Sequence, residues 1–297
     1  MSGMNYASLS TEKMNSRSGN LDRLSSAQIV RLMNREDARV LRAIAQAAPA
    51  IARAIELTSS ALREGGHLIF VGAGTSGRLG VIEAAECPPT FGTPPSLIQA
   101  IMAGGKAAVF KSKEGAEDSK SEAASAVRRI GVGKRDVVLG IAASGVTPFV
   151  KSALQAAKSR QAKTILITCN PKTSPGLARI VISLSTGPEV LTGSTRLKAG
   201  SACKMALNIL TTASMVKLGK VYGNRMVDLQ PKSRKLVERG IRLIRDVGHA
   251  SEQEARQLFK KSRGHVKAAI VMARKKVSYL KAVENLKRAE GFLRKVI

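Results

Sequence analysis

Two glycine-rich segments carry hydroxyls at a spacing suited to holding an anion. The first reads Gly72-Ala73-Gly74-Thr75-Ser76-Gly77, the second Ala143-Ser144-Gly145-Val146-Thr147-Pro148. In each, backbone N–H groups and hydroxyls would meet the positive end of a following helix, an arrangement that binds phosphate. Pro148 suits the first turn of such a helix. The first segment matches G-x-G-x-x-G, but a dinucleotide site also needs an acid at the end of the next strand. That strand ends Ile101-Met102-Ala103-Gly104, so an NAD site is rejected. Neither loop has the lysine of a triphosphate-binding loop. A sugar phosphate fits better. A third segment, Gly193-Ser194-Thr195-Arg196 ahead of Lys198, with Glu189 upstream, adds a turn of cationic character before a helix.

Two carboxylates could do acid–base work. Glu86 precedes Cys87-Pro88-Pro89, and the prolines are expected to end the first-loop helix there. A carboxyl in a last helical turn faces the negative end of the dipole, which favours its acid form. Glu117, in Glu114-Gly115-Ala116-Glu117-Asp118, is expected at a helix start, where the dipole favours a carboxylate base. The plainer reading is that acids at helix starts are ordinary and that Glu86 is solvated. His67, His249 and His265 have no metal-ligand spacing, so neither a metal nor another cofactor is expected.

These groups need a scaffold that brings loop ends together. Short apolar runs at 67–71, 97–102, 136–142, 163–168 and 180–183 are bounded by glycine and separated by helical stretches at 117–130 and 148–158. That alternation predicts an α/β fold with a doubly wound parallel sheet, whose ligands bind beyond the carboxyl ends of the strands. Residues 1–20 are polar and read as an extended arm. Apolar residues at helical spacing from Ser25 to Leu62 form a helical lead-in, with a second helix beginning at Asn34 or Asp37. A long helix is expected over 199–218. Beyond it come short basic amphipathic helices, with Val266, Ile270 and Val271 on one face and Leu280, Val283 and Leu286 on another. The chain divides into 1–62, 63–230 and a basic helical region, 231–297.

The 297 residues carry a formal charge of +28, with 19 Lys/Arg against 6 Asp/Glu in 231–297. A basic surface leaves nucleic acid open, but aromatics are 3% and no nucleic-acid motif appears, so that function is not expected. Cys87, Cys169 and Cys203 are too scattered for a disulfide framework. With no apolar run long enough to span a membrane and no secretory leader, a cytoplasmic protein is expected.

The segments GAGTSGRLGVIEAAECPPTFGTPP (72–95), EGAED (114–118), IAASGVTP (141–148), GPEVLTGSTRLKAGSACK (187–204) and GKVYGNRMVD (219–228) resemble the N-acetylmuramic acid 6-phosphate etherases. TEKMNSRSGNLDRLS and LMNREDARV fit the same pattern. The resemblance implies a sugar isomerase (SIS) domain with a flavodoxin-like sheet, and a homodimer with its active site near the subunit interface. It implies elimination of lactate from N-acetylmuramic acid 6-phosphate followed by water addition, giving N-acetylglucosamine 6-phosphate and D-lactate without a metal. Glu86 resembles the acid that protonates departing lactate, and Glu117 the base at C2. Gly74, Thr75, Ser76, Ser144, Gly145 and Thr147 would hold phosphate or sugar hydroxyls. Glu189, Ser194, Thr195 and Arg196 would complete the pocket. A sugar-phosphate sensor related to the glucokinase regulatory proteins is the alternative, and an aldose–ketose isomerase on the same fold a third. The family usually has Arg where Val146 stands, so a lost charged hydrogen bond is expected to cost about 1.5–3 kcal/mol of binding unless replaced. It commonly has Gln at the position of Cys203.

Overall fold

Aliphatic runs form five parallel strands: β1 (Leu68–Gly72), β2 (Ile98–Met102), β3 (Val137–Ile141), β4 (Lys163–Thr168) and β5 (Ile180–Ser183). In the computed structural model, which describes residues 6–170 and 176–297, they lie in the order β2-β1-β3-β4-β5. Residues 1–5 of the expected arm fall outside the described residues. β1 and β3 are buried throughout, because helices cover both faces of a parallel sheet. β1 lies between β2 and β3, so the crossovers leave it in opposite directions and open a crevice at the carboxyl ends.

The covering helices are α2 (Gly74–Phe91), α4 (Lys120–Arg129), α5 (Pro148–Ser159) and α6 (Lys198–Lys217), with a short α3 (Ala107–Phe110). Ala123, Val127, Phe149 and Leu154 of α4 and α5 join Ile69, Val71, Val138 and Leu166 in one core layer. On the other face α2 comes close through Gly80, where a Cβ would lie 2.8 Å from that of Phe70. His67 ties together the amino ends of β1 and β3, with its N–H and Nδ1 on Asp136 Oδ1 at 2.8 and 3.0 Å.

The lead-in is one helix, α1 (Ser26–Arg63, 38 residues), not two. Half-buried Ile29, Leu32 and Met33 lead past Asn34 into the buried stripe Glu36, Val40, Ala43, Ala47, Ile51 and Ala54. Continuous burial thus overrides the local capping signals. The capping box is at Ser25 and Gln28. The arm is not extended either. Three 3₁₀ turns (Tyr6–Ser8, Ser16–Ser18, Leu21–Arg23) are tied to the sheet through Asn170. Its Oδ1 accepts from the Ser10 N–H and hydroxyl at 2.8 and 2.6 Å, and its Nδ2 donates to Thr11 Oγ1 and the Ala143 carbonyl, both at 3.1 Å.

The chain forms two compact units, one of Met1–Ala84 with Ser96–Leu210, the other of Ala85–Pro95 with Thr211–Ile297. This division does not coincide with boundaries at 62/63 and 230/231. The second unit holds α7 (Arg234–Gly248), α8 (Glu252–Lys261), α9 (Val266–Lys275) and α10 (Tyr279–Arg288), beside the hairpin β6 (Val221–Tyr222) and β7 (Arg225–Met226). Val266–Ala273 of α9 are all buried, forming the centre of this core with Ile241, Ile244 and Leu286. Leu280 does not join it: this residue is 79% exposed, because α10 packs through Tyr279, Ala282, Val283 and Leu286 instead. Lys267 is buried but satisfied, donating to Asp228 at 2.8 Å and to the Gly219 and Gly291 carbonyls at 3.0 Å.

Candidate active site

The β1–α2 turn is tight enough to require glycine at both ends. A Cβ on Gly72 would meet Gly77 N at 2.6 Å, and one on Gly77 would meet the Gly72 carbonyl oxygen at 2.7 Å. Gly74, at φ +54°, has open space where a Cβ would sit. The β3–α5 loop turns on Gly145 at φ +73°, and the Val146 N–H donates to Ser144 Oγ at 3.3 Å. Thr147 is the N-cap of α5, yet its side chain makes no capping hydrogen bond.

These loops line a cavity of about 260 Å³. Among the expected residues it brings together Gly74, Thr75, Ser76, Ser144, Thr147, Thr195 and Glu117. Gly145, Glu189, Ser194, Arg196 and Glu86 are not in its lining. Glu117 stands on a 3₁₀ turn (Ala116–Asp118) entered through Gly115 at φ +74°, not inside the first turn of α4, which begins at Lys120. The glycine lets the chain reverse so that an exposed carboxylate reaches the cavity.

Glu86 departs further from its expected setting. α2 does not stop before Pro88; it continues to Phe91 with both prolines inside. The missing N–H groups of Pro88 and Pro89 deprive the Ala84 and Ala85 carbonyls of intrahelical donors. Packing outweighs that loss: Cys87 and Phe91, four residues apart, are buried, and the Gly92 N–H closes the last turn on the Pro88 carbonyl at 3.0 Å. A Cβ on Gly92 would lie 2.1 Å from the Asp228 carbonyl oxygen. Glu86 is therefore an exposed mid-helix residue, about three turns along α2 from Gly74. The buried carboxylate of α2 is Glu83, which accepts from Asn208 Nδ2.

Glu189 serves the start of α6. Fully buried, it accepts the N–H groups of Lys198 (3.1 Å) and Ala199 (2.9 Å). Burial raises its pKa, and those two hydrogen bonds only partly offset the rise. A second buried carboxylate, Glu36, shifts the other way. Burial would raise its pKa too, but hydrogen bonds from Lys198 (2.6 Å), Arg17 (2.8 Å) and Asn15 (2.8 Å) hold it at about 2. Cys203 packs beside Cys169; their hydrogen bond and burial push its thiol well up, so it is no nucleophile.

Several residues in or around the site were not singled out from the sequence. Glu12, delivered by the arm, lines the cavity, and its Oε2 lies 3.1 Å from where a Cβ on Gly193 would stand. Lys113 and Arg78 also line it, and supply positive charge that Val146, buried beneath the loop, cannot. Arg78 spends Nε and Nη2 on the Val109 and Ala108 carbonyls at 2.8 Å, stapling the loop after β2. Asn170 anchors the arm. Glu36 did leave a signal: a charge at a stripe position among apolar residues.

No described helix is long and apolar enough to cross a membrane, and the described residues include no group of three or more potential metal-binding acids, histidines or cysteines.

Residues 50–158 match the family described as the glucokinase regulatory protein N-terminal SIS domain, and residues 121–213 match the SIS domain. An N-acetylmuramic acid 6-phosphate etherase of Picosynechococcus sp. is 52% identical over 287 residues, covering 96% of this chain and 95% of that one. One from Geobacillus thermodenitrificans is 48% identical over 290 residues, covering 97% and 98%. Among solved structures, a phosphoheptose isomerase from Francisella tularensis aligns over 65% of this chain and 100% of its own, with 20% identity and a TM-score of 0.49.

Proposed function

The chain belongs to the N-acetylmuramic acid 6-phosphate etherase family, and we propose that its cavity at the carboxyl ends of β1 and β3 is where the ether is cleaved. The protein is an enzyme that cleaves the lactyl ether of N-acetylmuramic acid 6-phosphate in cell-wall recycling, releasing N-acetylglucosamine 6-phosphate and D-lactate with consumption of one water. The observation that carries the site is the convergence of Thr75, Ser76, Ser144 and Thr147 with Glu117 in one cavity. In this reading the loop N–H groups and hydroxyls hold the phosphate, with Lys113 nearby in place of the cation absent at Val146. Glu117 takes the C2 proton of the open-chain sugar. The electron pair forms the C2–C3 double bond as lactate leaves C3, and lactate takes a proton from the second carboxylate. Water then adds at C3, and a proton returns to C2.

Glu86 is the second carboxylate in this reading. Its exposure on α2, about three turns from the phosphate loop, supports a homodimer in which each subunit's Glu86 serves the other's cavity. Gly145, Glu189, Ser194 and Arg196 hold the shape of the loops and the α6 start. The three free cysteines fit a reducing, cytoplasmic setting.

The test is lactate release from N-acetylmuramic acid 6-phosphate by the parent, Glu117→Gln and Glu86→Gln. Release by the parent and its loss in both variants is expected. Co-expressing the two variants should restore activity through mixed dimers, each with one intact site. Activity that stays lost in verified mixed dimers would place both carboxylates in one subunit. Parent turnover unaffected by Glu117→Gln would remove the cavity from the reaction.

A further inference from the structure

A separate cleft, cationic and of about 570 Å³, shares no lining residue with the cavity above the sheet. Arg17 of the arm, Arg35, Arg39 and Arg42 of α1, and Ser185 and Thr186 after β5 line it. Positions 35, 39 and 42 follow i, i+4 and i+7 spacing, which sets three guanidinium groups on one helix face. Asp37 is roughly 200° around the helix from Arg35 and Arg39, and so on another side.

Charge balance in the cleft is incomplete. Glu36 pairs with Arg17 at 2.8 Å and with Arg39 at 3.7 Å, but it also takes Lys198 Nζ at 2.6 Å. One carboxylate therefore meets three cations. Arg35 and Arg42 have no acidic partner among the described residues. The Thr186 hydroxyl adds an independent sign: it is buried, at 1% exposure, with no hydrogen-bond partner. A buried hydroxyl left unpaired costs stability unless something binds it. Gly187, at φ +72°, keeps the wall open, since a Cβ there would stand 3.1 Å from Arg39 Nη1. Guanidinium forks match phosphate oxygens two at a time, which distinguishes such a cluster from a merely solvated lysine face.

We propose that this cleft binds a small phosphate-bearing anion of charge −2 or more, separately from the substrate's phosphate. The ligand is held by Arg17, Arg35, Arg39 and Arg42, with Thr186 donating its hydroxyl.

Calorimetric titration of the full chain at about 0.15 M salt tests this. Inorganic pyrophosphate and N-acetylglucosamine 6-phosphate are the two probes. To weaken binding in the cavity, whose backbone N–H groups remain, the protein carries Ser76→Ala and Ser144→Ala, and the equivalent assigned to the cleft is the one that the arginine substitutions remove. Saturable binding of one equivalent is expected to persist there, and to weaken roughly tenfold or more when Arg35→Ala and Arg42→Ala are added. Arg35→Lys with Arg42→Lys keeps the charge but loses the forks, and is expected to weaken binding several-fold while guarding against a folding defect. Tighter pyrophosphate binding identifies an inorganic polyphosphoryl ligand, and tighter monoester binding a phosphorylated metabolite; either result supports the site. Binding lost with Ser76→Ala and Ser144→Ala alone overturns the proposal. So does binding equal in the Arg and Lys forms, or an absence of saturable binding at this salt.

Discussion

The cavity above the sheet and the arginine cleft beside α1 both offer hydrogen-bond donors to an anion, by opposite means. The cavity relies on backbone N–H groups and short hydroxyls whose positions follow from the strand–glycine–helix path. The cleft relies on four long side chains projecting from the arm and one helix face, each with rotamer freedom to lose when a ligand binds. A site made of backbone is organised before the ligand arrives and tolerates the loss of a single side chain. One made of guanidinium groups is strengthened or dismantled residue by residue, and salt reaches it more readily. Glu36 stands between the two: it pairs with two cleft arginines, and through Lys198 it holds the start of α6.

The sharpest way to separate the regions is Glu117→Gln. Lactate release is expected to fall by about 10²–10⁴-fold, the usual worth of a positioned acid or base. Titration with N-acetylglucosamine 6-phosphate should show the phosphate still bound, because the loop N–H groups are untouched. Retained turnover would break the comparison by removing chemistry from the cavity.

Next in size is the shared hub. Lys198→Met leaves Glu36 buried with one cation fewer, and denaturant unfolding should show a loss of about 3–5 kcal/mol. Combining it with Glu36→Gln is expected to recover part of that loss. The pH dependence has a definite sign. Glu36 titrates at about 2 in the folded chain against an ordinary value of 4.5. Its contribution is therefore complete above about pH 4.5 and is lost as pH falls toward 2, on the order of 3 kcal/mol in all. Unfolding curves between pH 6 and 2, parent against Glu36→Gln, measure it. An equal acid sensitivity in both would remove the charge network from the account.

A smaller effect is expected from Lys113→Ala. If Lys113 replaces the cation missing at Val146, KM for the sugar phosphate should rise roughly tenfold with kcat nearly constant. Steady-state kinetics at two salt concentrations would show it, and an unchanged KM would mean the backbone cradle suffices alone. The smallest effect belongs to Thr186→Val. Removing a buried, unpartnered hydroxyl should raise the stability of the ligand-free chain by about 1 kcal/mol while weakening pyrophosphate binding in the cleft alone. Equal binding would take Thr186 out of the ligand shell.

How much of this was legible varied with the range of the interactions. All five strands were, because each is a local apolar run closed by a turn, and a strand buried on both faces needs little else. So were the two glycine-rich loops, since Gly72, Gly77 and Gly145 are demanded by backbone geometry within a few residues. Two stop signals misled. Asn34 and Asp37 resemble helix starts, and Pro88-Pro89 resembles a helix end, but burial of Val40 and Ala43 in α1, and of Cys87 and Phe91 in α2, carried each helix through. The dipole argument for Glu86 fell with the helix end on which it rested. Leu280 failed for the converse reason: periodicity identifies an apolar position but not whether a neighbour covers it.

The sequence by itself determined the parallel α/β architecture, the glycine-rich loops at the strand ends, the candidate pair Glu86 and Glu117, and the family. Those features depend on short-range pattern or on motifs kept whole. Tertiary structure alone decided that Glu12 and Lys113 reach the cavity while Glu86 does not line it. It also decided that Arg17 joins the arginines of α1. Asn15 and Pro188, 173 positions apart, meet beside Glu36, which accepts from Asn15, Arg17 and Lys198, in an arm that Asn170 also holds. Such contacts have no local periodicity, because their free energy comes from burial and charge pairing between segments distant in the chain.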